Sequence, residues 1–355
     1  MNLKERTEAF AALGKLFRDY FQVEKESNYS PLLSKWSSEI EKIIKEQHFH
    51  NAWFTEKNVN YAVNTWAYLL TNENLQKWIK PYHKQINGIK KTSNIGVIMA
   101  GNIPLVGMHD FLSVLITGHR FVGKLSSKDD LLLKLITNIL CDIDPSFSDL
   151  IRFADNLKDH PDAIIATGSS NSARYFEYYF GKFPHIIRKN RNSVAILSGH
   201  ESDTDISNLA VDIFTYFGLG CRNVSKLYVP EGFTFDHFFN VIEPWHFLYQ
   251  HNKYANNYDY HQSVYLMNKI PFLDNGFVLV KNDRQIYSPL SVIFYEYYSD
   301  ITILAAEITA KESEIQCIVS KDNELEQTIP FGKTQSPELW NYADNFNTVE
   351  FLINL

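Results

Sequence analysis

From Ile95 onward the chain alternates short apolar runs with polar stretches of helical spacing, and this alternation restricts the fold more than any other feature. NIGVIMAG is followed by PLVGMHDFLSVLITG, HRFVGKLS, DDLLLKLITNIL and DAIIATGS. Strand, helix, strand, helix, strand is the pattern of a parallel sheet with crossover helices. SVAILSG predicts a further strand, leading to a helix over 206–216 and then to the strand KLYVPEG. Strands are expected at FVLVKN and ITILAAEI, and the tail NTVEFLINL is read as a terminal strand. Before Ile95 the texture is different. Residues 1–82 hold one glycine, Gly14, and apolar residues recur at helical spacing, as at Phe10, Leu13 and Phe17, then Trp36, Ile40 and Ile43.

A chain of 355 residues with 45% hydrophobic and 21% charged residues has room for two domains and a large core. Its net charge of −7 offers no basic field to a polyanion, so nucleic acid and anionic membrane surfaces are poor partners. Cys141, Cys221 and Cys317 are too few and too scattered for a disulfide framework or a tetrahedral metal site, and no metal is expected. The longest apolar segment, 95–122, is interrupted by His109, Asp110 and His119, which argues against a membrane span. A soluble, cytoplasmic protein is expected.

Cys221 is the residue most suggestive of chemistry. It lies in TYFGLGCRNVSKLYVPE, where Gly218 and Gly220 allow backbone angles that side-chain-bearing residues resist and let a substrate approach the sulfur. A buried, inert cysteine needs neither glycine, although free cysteines are commonly small core residues. Cys141 and Cys317 lie in apolar contexts and read as core. Gly218-Leu219-Gly220 lacks the third glycine of a dinucleotide fingerprint. His237, His246, His251 and His261 match no standard metal spacing. The clusters YFEYYF and FYEYYSD read as buried faces of helix or strand, or else as the lining of a fatty-acyl channel.

Four segments, in order, resemble the aldehyde dehydrogenase superfamily and, within it, the LuxC-like fatty acyl-CoA reductases. MAGNIPLVGMHDFLSVLITGHRFVGKLSSKDDLL is similar to the run in which an Asn-x-Pro turn precedes a helix and a strand ends in lysine. The resemblance implies that the Asn102 amide helps form an oxyanion hole and that Lys124 reaches the adenosine ribose. HPDAIIATGSSNSAR resembles the Thr-Gly-Ser motif, which implies that Thr167, Gly168 and Ser169 lie by the cofactor pyrophosphate, where free helix N–H groups favour a phosphate. The Cys221 loop falls where the family nucleophile falls. RQIYSPL resembles Glu-Ile-Phe-Gly-Pro-Val, which puts Gln285 at the nicotinamide ribose and Tyr287 near the nicotinamide. Taken alone, Asn102 reads equally as a turn residue, Lys124 as a solvated charge and the serines after Gly168 as a helix cap.

The implied fold is α/β and aldehyde-dehydrogenase-like: a helical N-terminal region with a Rossmann-type domain over 1–200, a catalytic domain over 201–325, and a tail over 326–355. Three departures refine the implied activity. The family's general-base glutamate is missing from IIRKNRNSVAIL, where Ile187 stands closest to its position. Without a base to activate water, an acyl-enzyme is not hydrolysed, which favours reduction of an acyl thioester over oxidation of an aldehyde. Ser127, followed by Lys128, stands where NAD-preferring members carry a carboxylate, which implies NADPH as cofactor. The shortness of the chain leaves the family's oligomerisation arm, and with it a homo-oligomer, open. The implied substrate is an acyl-CoA or an acyl-carrier protein, with Arg222, His185 or His200 as candidates for assisting the Cys221 thiolate. The alternatives are an aldehyde-oxidising dehydrogenase and a catalytically silent acyl-handling partner.

Overall fold

The structure, a computed structural model, describes residues 1–22, 30–157, 161–321 and 327–355, and of Ser170 the backbone alone. His160 of the HPDAII segment and the expected boundary at 325/326 lie outside the described residues. The chain divides into two compact units, Met1–Lys189 with Glu338–Leu355, and Asn190–Pro337.

The first unit begins with helices α1 (Leu3–Gln22), α2 (Pro31–His50), α3 (Glu56–Leu69), α4 (Asn72–Ile79) and α5 (His83–Gly88). Phe10, Leu13 and Phe17 make the buried stripe of α1, as their spacing predicts. A five-stranded sheet follows, built from β1 (Asn94–Ile98), β2 (Arg120–Lys124), β3 (Ile151–Phe153), β4 (Ala163–Thr167) and β5 (His185–Arg188), in the order β3-β2-β1-β4-β5 with every pairing parallel. Helices α6 (Met108–Thr117), α7 (Leu131–Ile143) and α8 (Ser170–Phe180) make the crossovers. After β1 the chain winds outward through β2 and β3, then returns to the other side of β1 as β4. The strand order therefore reverses between β1 and β4, the position at which open α/β sheets bind ligands outside the carboxyl ends of their strands.

Helix α6 is buried over nearly its whole length, Asp110 included. Asp110 Oδ2 accepts from Arg188 Nη1 on β5 at 2.6 Å, and Arg188 Nη2 donates to Thr348 Oγ1 at 2.8 Å. Thr348 opens α13 (Thr348–Ile353), so one buried guanidinium ties together a sheet edge, a core helix and the chain terminus.

The second unit carries β6 (Asn192–Ile196), α9 (Asp203–Phe214), β7 (Val224–Pro230), α10 (Asp236–Ile242), α11 (Asn252–Met267), β8 (Leu273–Asp274), β9 (Leu279–Asn282), β10 (Val292–Tyr298), α12 (Ile301–Ala310) and β11 (Ile315–Val319). Its sheet runs β11-β6-β7-β10-β9-β8, parallel except for the β8–β9 pair.

Three expectations are corrected. NTVEFLINL is not a strand but α13: Asn347 caps it by accepting from Glu350 N, and Val349 and Leu352 bury at i, i+3 spacing. ITILAAEI is likewise the helix α12, capped by Asp300, with Leu304 and Ile308 buried at i, i+4. YFEYYF is not a buried face. On α8, Phe176 and Phe180 pack inward while Tyr175, Tyr178 and Tyr179 stand 59%, 82% and 61% exposed. Among the described residues no helix is long and apolar enough to cross a membrane.

Candidate active site

In the second unit the chain leaves α9 through a turn of unusual geometry. Tyr216, Phe217 and Gly218 take φ values of 56°, 60° and 79°, so two bulky residues and a glycine follow one another in the left-handed region. Only the glycine does this without steric cost. One buried side chain holds the turn. Asn223 Nδ2 donates to the carbonyls of Asp212 (2.9 Å), Ile213 (3.2 Å) and Thr215 (2.9 Å), and its Oδ1 accepts from Gly220 N at 2.8 Å. Those carbonyls belong to the end of α9, where a helix leaves acceptors without intrahelical partners. Phe217 adds a ring contact to His251, with centroids 4.5 Å apart.

The product of this clamp is Cys221, exposed and without a disulfide, at the mouth of β7. Its carbonyl accepts from Ser193 Oγ at 3.0 Å, which ties the loop to β6. Cys317 is buried as expected, whereas Cys141 is half-buried against the first unit's core, and burial raises the pKa of both thiols. Arg222 Nη1 donates to Cys317 Sγ at 3.4 Å.

The segment with Gln285 and Tyr287 returns from β9 to β10 beside the same loop. Ser225 Oγ, four residues after Cys221, donates to Ile286 O at 2.9 Å. Lys226, fully buried on β7, donates to Asp283 O and pairs with Glu296 at 3.0 Å. Leu290 lies in van der Waals range of the position a Gly218 Cβ would take. Gln285 and Tyr287 are exposed, and Gln285 N donates to Asp283 Oδ1 at 3.0 Å. The second unit thus gathers Cys221, Gln285 and Tyr287 around the start of β7.

The first unit gathers the remaining expected residues at the carboxyl ends of its strands. Ile98 pairs in register with Lys124 and with Ala166, so β1, β2 and β4 end level. The β1–α6 loop carries exposed Asn102, β2 ends at exposed Lys124, and the turn after β2 presents Ser127 and Lys128. Thr167 ends β4, Gly168 follows, and Ser169 caps α8 by accepting from Ser172 N at 3.2 Å. His185 lies on β5 of this unit with its Nδ1 against Phe183 O, and His200 is exposed in the second unit.

No family model and no curated protein matches this sequence. Solved structures do match. Aldehyde dehydrogenase 21 from Physcomitrella patens, in complex with succinate, superposes with a TM-score of 0.66 over 100% of this chain and 84% of its own, at 14% identity. An NAD-dependent aldehyde dehydrogenase from Sinorhizobium meliloti gives 0.59 over 94% of this chain and 73% of its own, at 10% identity. An NADP-dependent enzyme from E. coli gives 0.59 over 92% and 77%, at 10% identity. The fold is that of an aldehyde dehydrogenase.

Within that aldehyde dehydrogenase fold, sequence reasoning missed two residues that shape the loops. Asn223 is one, and no local signal in the sequence marks it. The other is Asp129, in a KDD run that reads as solvated charge yet is 8% exposed. Its Oδ2 accepts from Leu105 N at 2.8 Å, joining the turn after β2 to the loop that carries Asn102. Burial pushes this carboxyl up to about 7, against the opposing pull of the Leu105 N–H.

Proposed function

We propose that this chain is a nicotinamide-dependent oxidoreductase that reduces a fatty acyl thioester, such as an acyl-CoA, to the aldehyde through an S-acyl-Cys221 intermediate. One observation carries the reading: an exposed thiol at the end of a left-handed turn that a buried asparagine clamps to a helix end. A structural cysteine has no need of a strained, glycine-relieved and fully hydrogen-bonded support.

A dinucleotide fits the first unit on the grounds of its own residues. Level strand ends at the β1/β4 switch point stand beside the N–H groups opening α8, with exposed Lys124 and Lys128 to meet phosphate charge. Lys124, Ser127, Lys128, Thr167, Gly168 and Ser169 would hold it there, and the resemblance assigns Gln285 and Tyr287 to the nicotinamide ribose and ring. Ser127 brings no carboxylate against a 2′-phosphate, and Asp130 is engaged by Lys134 at 2.5 Å, so NADPH is the favoured form. The bound cofactor supplies the two electrons, as hydride, that turn the acyl carbon into an aldehyde.

The chain's residues do the rest. The Cys221 thiolate forms a bond to the thioester carbonyl carbon, and the coenzyme A thiolate leaves with the electrons of the broken C–S bond and takes a proton. The resemblance assigns the Asn102 amide to the oxyanion formed at that carbon, and again to the oxyanion formed on reduction. Breaking of the Cys221 C–S bond then releases aldehyde and restores the thiolate. The balance is acyl-CoA plus NADPH and a proton, giving aldehyde, free CoA and NADP. Thioester-to-thioester exchange is close to isoenergetic, so the first half needs no activation of the acyl group.

Reduction is favoured over hydrolysis because β5 offers no carboxylate. Ile187, which the resemblance sets closest to the family's general-base glutamate, packs with Phe176 and Phe180 in an apolar layer. Mass spectrometry of wild type and Cys221→Ala after exposure to a long-chain acyl-CoA tests the reading. Wild type should gain one acyl mass that the variant does not, and NADPH should discharge it as aldehyde. Release as free acid would point to the oxidising reading, and the lack of any adduct to a silent acyl-handling partner.

A further inference from the structure

We infer that Asp129 is a positioning residue that fixes the Asn102 loop, an inference that rests on the role proposed above for Asn102. The loop between β1 and α6 has no strand or helix of its own to hold it, and Leu105 within it takes φ 58°. Such a backbone persists in a leucine only where its surroundings impose it. The imposing contact is the 2.8 Å hydrogen bond from Leu105 N to Asp129 Oδ2. A second contact flanks Asn102 on the other side: a Cβ on Gly101 would come 2.4 Å from Ser126 Oγ, so the two loops touch backbone to side chain. Asn51 Nδ2 bridges them, 3.4 Å from Gly101 O and 3.5 Å from Lys128 O. Asn102 is therefore suspended between two attachments to one turn, and Asp129 supplies the attachment on its C-terminal side.

The cost of this arrangement singles out Asp129. Its Oδ1 is buried with no hydrogen-bond partner among the described residues, although a buried carboxyl ordinarily satisfies both oxygens. A residue kept for stability alone is poorly served by an unmet oxygen. The carboxyl reaches Leu105 N nonetheless, and that contact limits where the Asn102 amide, three residues earlier in the same loop, can be held. An oxyanion donor displaced by a fraction of an ångström loses most of its effect, and removal of one such donor costs about 10²–10³-fold in rate.

The test uses the full-length chain and two electrophiles. Acyl-CoA acylates Cys221 through a tetrahedral oxyanion, whereas iodoacetamide alkylates it by displacing iodide and forms none. Asp129→Ala should slow acylation about tenfold to a hundredfold, leave alkylation unchanged, and raise amide hydrogen exchange over 99–107. Asp129→Asn, which keeps an acceptor oxygen for Leu105 N, should restore both acylation and protection. Asn102→Ala should slow acylation without raising exchange. Equal loss of acylation and alkylation in Asp129→Ala, unchanged exchange over 99–107, or a loss in Asp129→Asn as large as in Asp129→Ala would each overturn the inference. Absence of acylation in the wild type would instead remove the proposed function, and exchange over 99–107 would still decide whether Asp129 holds the loop.

Discussion

Replacing Asn223 by alanine should destabilise the protein by about 3 kcal/mol and disable Cys221 along with it. The amide's two hydrogens serve three carbonyl oxygens, so one hydrogen is shared, and its oxygen takes the Gly220 N–H. Alanine therefore removes about three hydrogen bonds, each worth roughly 0.5–1.5 kcal/mol net, and leaves buried groups unpaired. The residue is 3% exposed, so water does not readily replace what is lost. Asn223→Asp is the sharper variant. It keeps the acceptor for Gly220 N but turns an anionic oxygen toward the carbonyls of Asp212, Ile213 and Thr215, and should cost more than alanine. Urea unfolding of wild type and both variants measures the ranking, and acylation of Cys221 under native conditions measures the effect on the proposed nucleophile. A cost below about 1 kcal/mol for alanine, or aspartate tolerated as well as asparagine, would refute the view that this amide holds the turn.

Two further outcomes are expected. The Asp129 carboxyl, raised by burial from 3.8 to about 7, contributes stability that is present below pH 4 and lost as the pH rises to 7; Asp129→Asn should therefore gain on wild type in urea midpoint between pH 4 and pH 8, and a constant difference across that range would contradict the shift. Gly101→Ala, whose new methyl would meet Ser126 Oγ at 2.4 Å and Ser126 Cβ at 2.7 Å, should cost about 1–3 kcal/mol. The additional substitution Ser126→Gly should recover most of that loss in the same urea assay.

Much of the fold was legible because its strands are short apolar runs bounded by turn residues, and β1, β2, β4, β6, β7 and β9 stand where those runs fall. The misread elements share a physical cause. ITILAAEI is rich in β-branched residues, which favour strands, but Asp300 accepts from Thr302 N and Ile303 N and starts a helix whose Leu304 and Ile308 bury together. NTVEFLINL carried the same hidden signal in Asn347 and Glu350. On α8 the aromatic composition concealed an amphipathic division, since Phe176 and Phe180 repeat at i, i+4 and the tyrosines occupy the other face. Cys221 was singled out by its glycines, and the structure leaves its side chain exposed. Asn223 and Asp129 were not, because what they do depends on which carbonyl or N–H the folded backbone brings to them, and nothing in local spacing records that.

On the function proposed above, both units solve the same problem in the same way. Cys221 and Asn102 both stand on loops, which are free of the side-chain directions that backbone periodicity sets in helices and strands. A loop left to itself, however, wanders by more than an oxyanion or a nucleophile tolerates. Here each loop is bent through left-handed residues, Tyr216 and Phe217 in one and Leu105 in the other, and each bend is held by one buried polar side chain from a neighbouring position, Asn223 or Asp129. The strain and the clamp are coupled: without the clamp the left-handed residues relax toward ordinary backbone angles and carry Cys221 or Asn102 with them. Stability and reactivity should consequently fall together at Asn223, where all of the amide's hydrogen bonds are lost at once. They should separate at Asp129, where the neutral amide variant removes the cost of burying charge while keeping the contact that positions the loop.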